Sequence, residues 1–138
     1  MKILCVSPSD MTTEATICGL QSLLQHQVIV YRYDQNGIPV DHGMIAAAQQ
    51  HRPDLLCYIG QNGGRFLASE STFIYLRQIC PSVLLVFDGS DVTWTKLLTD
   101  YAEHGAFDLV VNIDGNPEWP KHQHDITALT PIHQGFYA

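Results

Sequence analysis

Two hydrophobic rhythms alternate along the chain. Lys2 to Ser7, Val28 to Tyr33, Leu55 to Ile59, Val83 to Phe87 and Leu109 to Ile113 are short, nearly unbroken apolar runs, the pattern of strands buried on both faces of a parallel sheet. Between them the apolar positions recur at three and four residues: Ile17, Leu20 and Leu24; Met44, Ile45 and Ala48; Phe73, Leu76 and Ile79; then Trp94, Leu97, Leu98 and Tyr101. Each set is the buried stripe of an amphipathic helix. The boundaries carry matching chemistry. Asp10, Asp41 and Ser69 or Ser71 stand where a side-chain oxygen caps the free amides of a first helical turn, with Glu14 and Glu70 placed at the positive helix ends. Pro53 and Pro81 stop the second and third helices, Gly105 ends the fourth, and Asp34 to Pro39 is a turn. Beyond Ile113 a loop leads to Ile126 to Thr130, which supplies a sixth short strand.

This alternation, with right-handed crossovers, predicts an α/β fold: one Rossmann-like domain over residues 1–138. Its doubly wound parallel sheet of five to six strands forms a three-layer α/β/α sandwich, with expected strand order 3-2-1-4-5 and the sixth strand at an edge. Such sheets bind ligands at the carboxyl ends of their strands, near the point where strand order reverses. Four loops therefore matter: those after the first, third, fourth and fifth strands.

Composition narrows the partners. With Lys and Arg numbering 7 against 14 for Asp and Glu, the 138-residue chain carries a formal charge of -7 and lacks the basic face that a phosphate backbone requires. No nucleic-acid partner is expected. Only 15% of residues are charged, which fits a chain with much of its surface near strands or covered by something else, such as a missing second lobe; an oligomer is a further partner expectation. No apolar run reaches the length of a transmembrane segment, and the opening run is too short for a signal-peptide core, so a cytoplasmic protein is expected. Cys5, Cys18, Cys57 and Cys80 are widely spaced within apolar stretches and read as free, buried thiols.

In the four loops, functional and purely structural readings compete. Gly60, Gln61, Asn62, Gly63, Gly64 and Arg65 follow the third strand, where glycines admit close backbone approach and an arginine can meet an anion; a plain flexible turn accounts for the same residues. Ser9 and Asp10 after the first strand offer polar contacts to a ligand, or cap the next helix. Asp88 leaves the fourth strand where a general base would stand, while Asp91 suits a helix cap; Asp114 follows the fifth strand. His122 and His124 lack a third ligand, so no metal is expected, and no loop combines a phosphate cradle with a stacking aromatic, so no cofactor is expected either. A phosphoryl-accepting receiver needs an acidic pair after the first strand, an aspartate ending the third and a lysine after the fifth. The chain has Asp10 alone, Gly60, and no lysine there before Lys121. Neither a cobalamin motif (Asp41-His42-Gly43 has the wrong spacing) nor a Gly-x-Ser-x-Gly elbow is present.

The opening Met1 to Val6, Arg52-Pro53-Asp54-Leu55-Leu56, Val83 to Asp88, Phe107 to Asn112 and Leu129 to Tyr137 together resemble the amino-terminal Rossmann-like domain of GT-B glycosyltransferases, particularly the spore-maturation CgeB-like and group 1 members. The resemblance spans nearly the whole chain. It implies the acceptor-side half of an enzyme that moves a sugar from a nucleotide-sugar donor to an acceptor substrate, and the strand-end position of Asp88 makes it the expected base for that reaction. The donor would be held by a second domain outside these residues, and this half alone would not transfer sugar. The rival expectation is a noncatalytic small-molecule binding or regulatory module built on the same kind of sheet.

Overall fold

The structure, a computed structural model, describes residues 1–9, 11–23, 26–35, 37–60, 67–86 and 92–112. Strands and helices alternate as β1 (Lys2–Ser7), α1 (Met11–Leu23), β2 (Gln27–Arg32), α2 (Val40–His51), β3 (Leu55–Ile59), α3 (Glu70–Ile79), β4 (Ser82–Val86), α4 (Val92–Glu103) and β5 (Leu109–Asn112). The five strands form one parallel sheet with helices on both faces, the expected doubly wound α/β architecture. The sixth strand expected at Ile126 to Thr130 lies outside the described residues.

The order within the sheet is β2-β1-β3-β4-β5, which corrects the expected 3-2-1-4-5. The reason is burial. The third strand is apolar throughout and buried over four of its five residues, whereas Gln27 and Arg32 bound a second strand that is nowhere fully buried. A strand with polar ends and half-exposed sides belongs at an edge, and one that reads Leu-Leu-Cys-Tyr-Ile belongs in the middle. β3 therefore pairs with β1, Leu4 opposite Leu56 and Cys5 opposite Cys57, and β1 carries β2 on its other side.

Side chains alternate between two cores. Leu4, Val6, Leu56, Tyr58, Leu84, Val86 and Val110 face α2, α3 and α4, where Met44, Phe73, Leu76 and Leu98 are almost wholly buried. An aromatic group sits at the centre: the Tyr58 ring meets Phe73 edge-on at 4.8 Å and stacks on Tyr33 at 5.6 Å, and Phe73 lies 4.9 Å from Phe107. Ile3, Cys5, Cys57, Ile59, Leu85 and Val111 face the opposite side with Ile17 of α1. Two expected core residues are not there. Ile79 is 41% exposed and Leu97 is 43% exposed, because the inward stripes run through Phe73 and Leu76 on α3, with Cys80 just past its end, and through Leu98 and Ala102 on α4.

Glycine matters at three points. A Cβ on Gly43 would fall 1.6 Å from the Tyr31 hydroxyl, so this helical glycine lets α2 lie against the β2 tyrosine. A Cβ on Gly60 would fall 2.2 Å from the Tyr58 ring, and Gly105, with φ of +88°, closes α4 in the left-handed region as its sequence position suggests.

The amino-terminal edge of the sheet uses one device twice. Asp54 accepts the amide of Lys2 at 2.7 Å while its own amide donates to the Lys2 carbonyl at 2.8 Å. Asp108 treats Ser82 likewise, at 2.8 and 2.9 Å, and also holds Arg77. In each case an aspartate just before a strand ties down the first residue of a neighbouring strand.

Candidate functional site

With order 2-1-3-4-5 the reversal falls between β1 and β3, so the crevice to inspect is bounded by the loops that leave these two strands. Ser9 stands two residues past the end of β1 and Gly60 one residue past the end of β3, and the pairing of those strands brings the two loops to the same edge. Of the remaining predicted site residues, Asp10, Gln61, Asn62, Gly63, Gly64, Arg65, Asp88 and Asp114 lie outside the described residues.

The polar groups described on the β1 side are engaged with one another. Arg32, at the end of β2, donates through Nη1 to the Ser7 hydroxyl at 2.7 Å and to the Pro8 carbonyl at 2.9 Å, and through Nη2 to Glu14 of α1. Ser7 is fully buried, and the arginine gives its hydroxyl a partner. Ser9 donates its amide at 2.9 Å and its hydroxyl at 2.8 Å to the two oxygens of Asp34, in the turn after β2. Burial pulls the Asp34 carboxyl upward, but the two Ser9 bonds and the Arg32 charge outweigh it and hold the group below its ordinary value. Ser9 thus closes a local lattice with β2. Arg32 and Asp34, which build that lattice, did not stand out in the sequence; the signal was a cation and an acid closing an otherwise apolar strand.

On the β3 side the chain leaves the sheet as Ile59-Gly60, and the Gly60 amide reaches the Leu85 carbonyl at 3.5 Å. Gly60 is buried, and its φ lies outside the left-handed region. Beneath it, the Tyr33 hydroxyl donates to the Ile59 carbonyl at 3.3 Å, while the Tyr58 hydroxyl is buried without a hydrogen-bond partner. Burial first, then the neighbouring Tyr33, push the Tyr58 phenol well above its ordinary range, so it is neutral and fixed in the core.

Asp41 corrects a second expectation. Pro39, not Asp41, is the N-cap of α2; Asp41 turns outward from the first turn of α2 and serves α3 instead. Its Oδ1 accepts the Ser69 amide at 2.7 Å, the Ser69 hydroxyl at 2.9 Å and the Thr72 hydroxyl at 2.6 Å. Ser69 is the N-cap residue of α3 but makes no capping bond with its own side chain, because its hydroxyl is given to Asp41. Burial raises the Asp41 carboxyl, and the Thr72 and Ser69 bonds, with His42 nearby, more than reverse this, leaving it below its ordinary value. Glu70 in the same first turn meets His104 beyond α4.

An open groove of about 430 Å³ is lined by Ala48, Gln49, Arg52, Pro53 and Ile79. It lies at the carboxyl ends of α2 and α3, which is the amino-terminal edge of the sheet, away from the strand ends where such folds bind ligands. Among the described residues no group of three His, Cys, Asp or Glu side chains could hold a metal ion, and no described helix is long and apolar enough to cross a membrane.

The fold and edge define a five-stranded doubly wound domain of order 2-1-3-4-5, the order shared by flavodoxins and receiver domains. Among solved structures the chain is similar to a pilus assembly-related protein from Burkholderia pseudomallei, with a TM-score of 0.53 at 16% identity over 94% of this chain and 92% of that one. That likeness is one of fold. No family model matches the chain, and no curated protein does.

Proposed function

We propose that the chain is a noncatalytic regulatory module of receiver-like architecture that carries out no group transfer. The observation that supports this most is the strand order: β3 stands in the centre beside β1, at the position from which a receiver presents its phosphoryl-accepting aspartate, and it ends in Ile59-Gly60. Neither residue can accept a phosphoryl group. The β1 side agrees, since Ser7, Ser9, Arg32 and Asp34 satisfy each other instead of presenting open valences to a ligand. Burkholderia's pilus assembly-related protein supplies an architectural parallel for this module and nothing finer.

The test is a pair of transfer assays on the whole chain. Acetyl phosphate with Mg²⁺ should leave its intact mass unchanged, and uridine, guanosine and adenosine diphosphate sugars should be neither consumed nor bound in the micromolar range. Phosphoryl incorporation, or sugar transfer to any acceptor, would contradict the proposal.

A further inference from the structure

Four cysteines are expected to be buried and free, and the structure divides them. Cys18 is exposed on α1, which corrects the expectation, because the inward stripe of that helix runs through Ile17 and Leu20. Cys80 lies in the core facing α2, α3 and α4. Cys5 and Cys57 are different: they are register partners in the parallel β1–β3 ladder, and both enter the opposite core. Neighbouring strands lie ~4.8 Å apart, inside the Cα separation of roughly 4.4–6.8 Å that a disulfide spans. Both side chains leave the same face of the sheet, so their Cβ atoms stand at about the strand spacing of ~4.8 Å, a little beyond the roughly 3.5–4.5 Å usual in a disulfide, and a bridge here is strained and readily reduced. They occupy the middle of a row, Val30-Cys5-Cys57-Val83, with no other polar side chain in it.

We propose that Cys5 and Cys57 are a modification site: a reversible disulfide across the β1–β3 seam, formed by a hydroperoxide and opened by a small thiol. In the forward reaction the Cys5 sulfur, as thiolate, attacks one oxygen of hydrogen peroxide. The O–O bond breaks, leaving a sulfenic acid on Cys5 and a hydroxide that takes up the thiol proton as water. The Cys57 sulfur then displaces the sulfenic oxygen, which leaves with the Cys57 proton as a second water. The two sulfurs lose two electrons and the peroxide oxygens gain them.

Arg32, which bonds Ser7 at the end of β1, places its positive charge on the Cys5 side of the pair. The Cys57 hydrogen bond, opposed by burial and aided by the Arg32 charge, holds the Cys5 thiol below its ordinary value, whereas Cys57 is raised by its contact with Cys5 and by burial. Among the described residues this face is covered by α1, with Leu20, Val28 and Val30 only partly buried around the pair, while three helices cover the other face. Cys5 is wholly buried and Cys57 nearly so, so a small uncharged oxidant reaches the pair only through local opening of this face. The seam lies directly beneath the loops after β1 and β3, so the bridge would lock the two strands that frame the candidate site.

The experiment uses the full chain carrying Cys18→Ser, which removes the exposed thiol that would link two molecules. After hydrogen peroxide, denaturation and alkylation, the reactive thiols should fall from three to one, Cys80 remaining. Tryptic peptide 3–32 should be joined to peptide 33–65 and released from it by dithiothreitol. Adding Cys57→Ser should abolish the link and adding Cys80→Ser should leave it. Three alkylatable thiols after oxidation, a link through Cys80, or oxidation of Cys5 to the sulfinic acid without a link would overturn the proposal, and the first variant decides this even if Cys57→Ser fails to fold.

Discussion

Replacing Asp41 with alanine removes an acceptor that three donors at the start of α3 share. The Ser69 amide, the Ser69 hydroxyl and the Thr72 hydroxyl all end on Oδ1 of this one carboxylate, and Thr72 is 6% exposed, so water replaces the lost bond poorly. A hydrogen bond to an ionised group contributes ~1.5–3 kcal/mol. Three such bonds do not add up, because the Ser69 hydroxyl lies 3.2 Å from that of Ser71 and 3.1 Å from that of Thr72 and can pair with either. We therefore expect Asp41→Ala to cost about 2 kcal/mol, a fall in Tm of roughly 8 °C for a domain of this size. Asp41→Asn, which keeps the oxygen and loses the charge, should cost about half as much. The carboxyl is held below its ordinary value near 3.8 in the folded protein, so its contribution is complete above that value and disappears as pH falls through the folded one. Urea unfolding of the wild type and Asp41→Asn should thus give a constant stability difference at neutral pH that shrinks as pH falls below 3.8 and closes once the folded carboxyl is protonated. Equal stability of wild type and Asp41→Ala at neutral pH, or a difference indifferent to acid, would refute the cap across helices.

Three further substitutions follow from single contacts. Gly43→Ala, which in an open helix would gain stability, should instead cost about 2 kcal/mol in urea unfolding because its Cβ would occupy the Tyr31 hydroxyl, and Tyr31→Leu in the same chain should restore most of the loss. Tyr58→Phe removes a buried hydroxyl that has no partner, so thermal unfolding should show no loss of stability; a fall in Tm would mean that this hydroxyl is bonded after all. Gly105→Ala should cost about 1 kcal/mol by the same assay, since only glycine takes φ of +88° without strain.

Much of this architecture was legible because local chemistry and global position agree along most of the chain. The runs at Lys2 to Ser7 and Leu55 to Ile59 became β1 and β3 at the limits expected, and Gly105 and Pro53 end helices where their backbones demand it. The second and fourth strands begin one residue earlier than their apolar runs, at Gln27 and Ser82, since backbone pairing with Lys2 and Leu56 ignores side-chain polarity. Strand order was misjudged although Gln27 and Arg32 signalled an edge, because reading apolar runs as alike erased the difference between β2 and β3. Asp41 looked like a cap and is one, but for a helix 28 residues on, a partnership that sequence spacing does not encode. Asp54 and Asp108 tie strand ends together, a use that any parallel sheet of this kind has for them. At the candidate site, Ser9 and Gly60 fall on the edge expected from the fold rule, while the lattice of Arg32, Asp34 and Glu14 depends on a pairing of β1 with β2 that only the fold creates.

The central claim, that this edge serves regulation and not transfer, is tested most directly by recording backbone amide spectra of the whole chain while titrating a nucleotide sugar, flavin mononucleotide and acetyl phosphate with Mg²⁺ in turn. The account predicts that the amides of Ser9, Gly60 and Ser69 stay in place at every ligand concentration, held by Asp34, Leu85 and Asp41. Saturable shifts at those three amides in the micromolar range, with any one of the ligands, would contradict it.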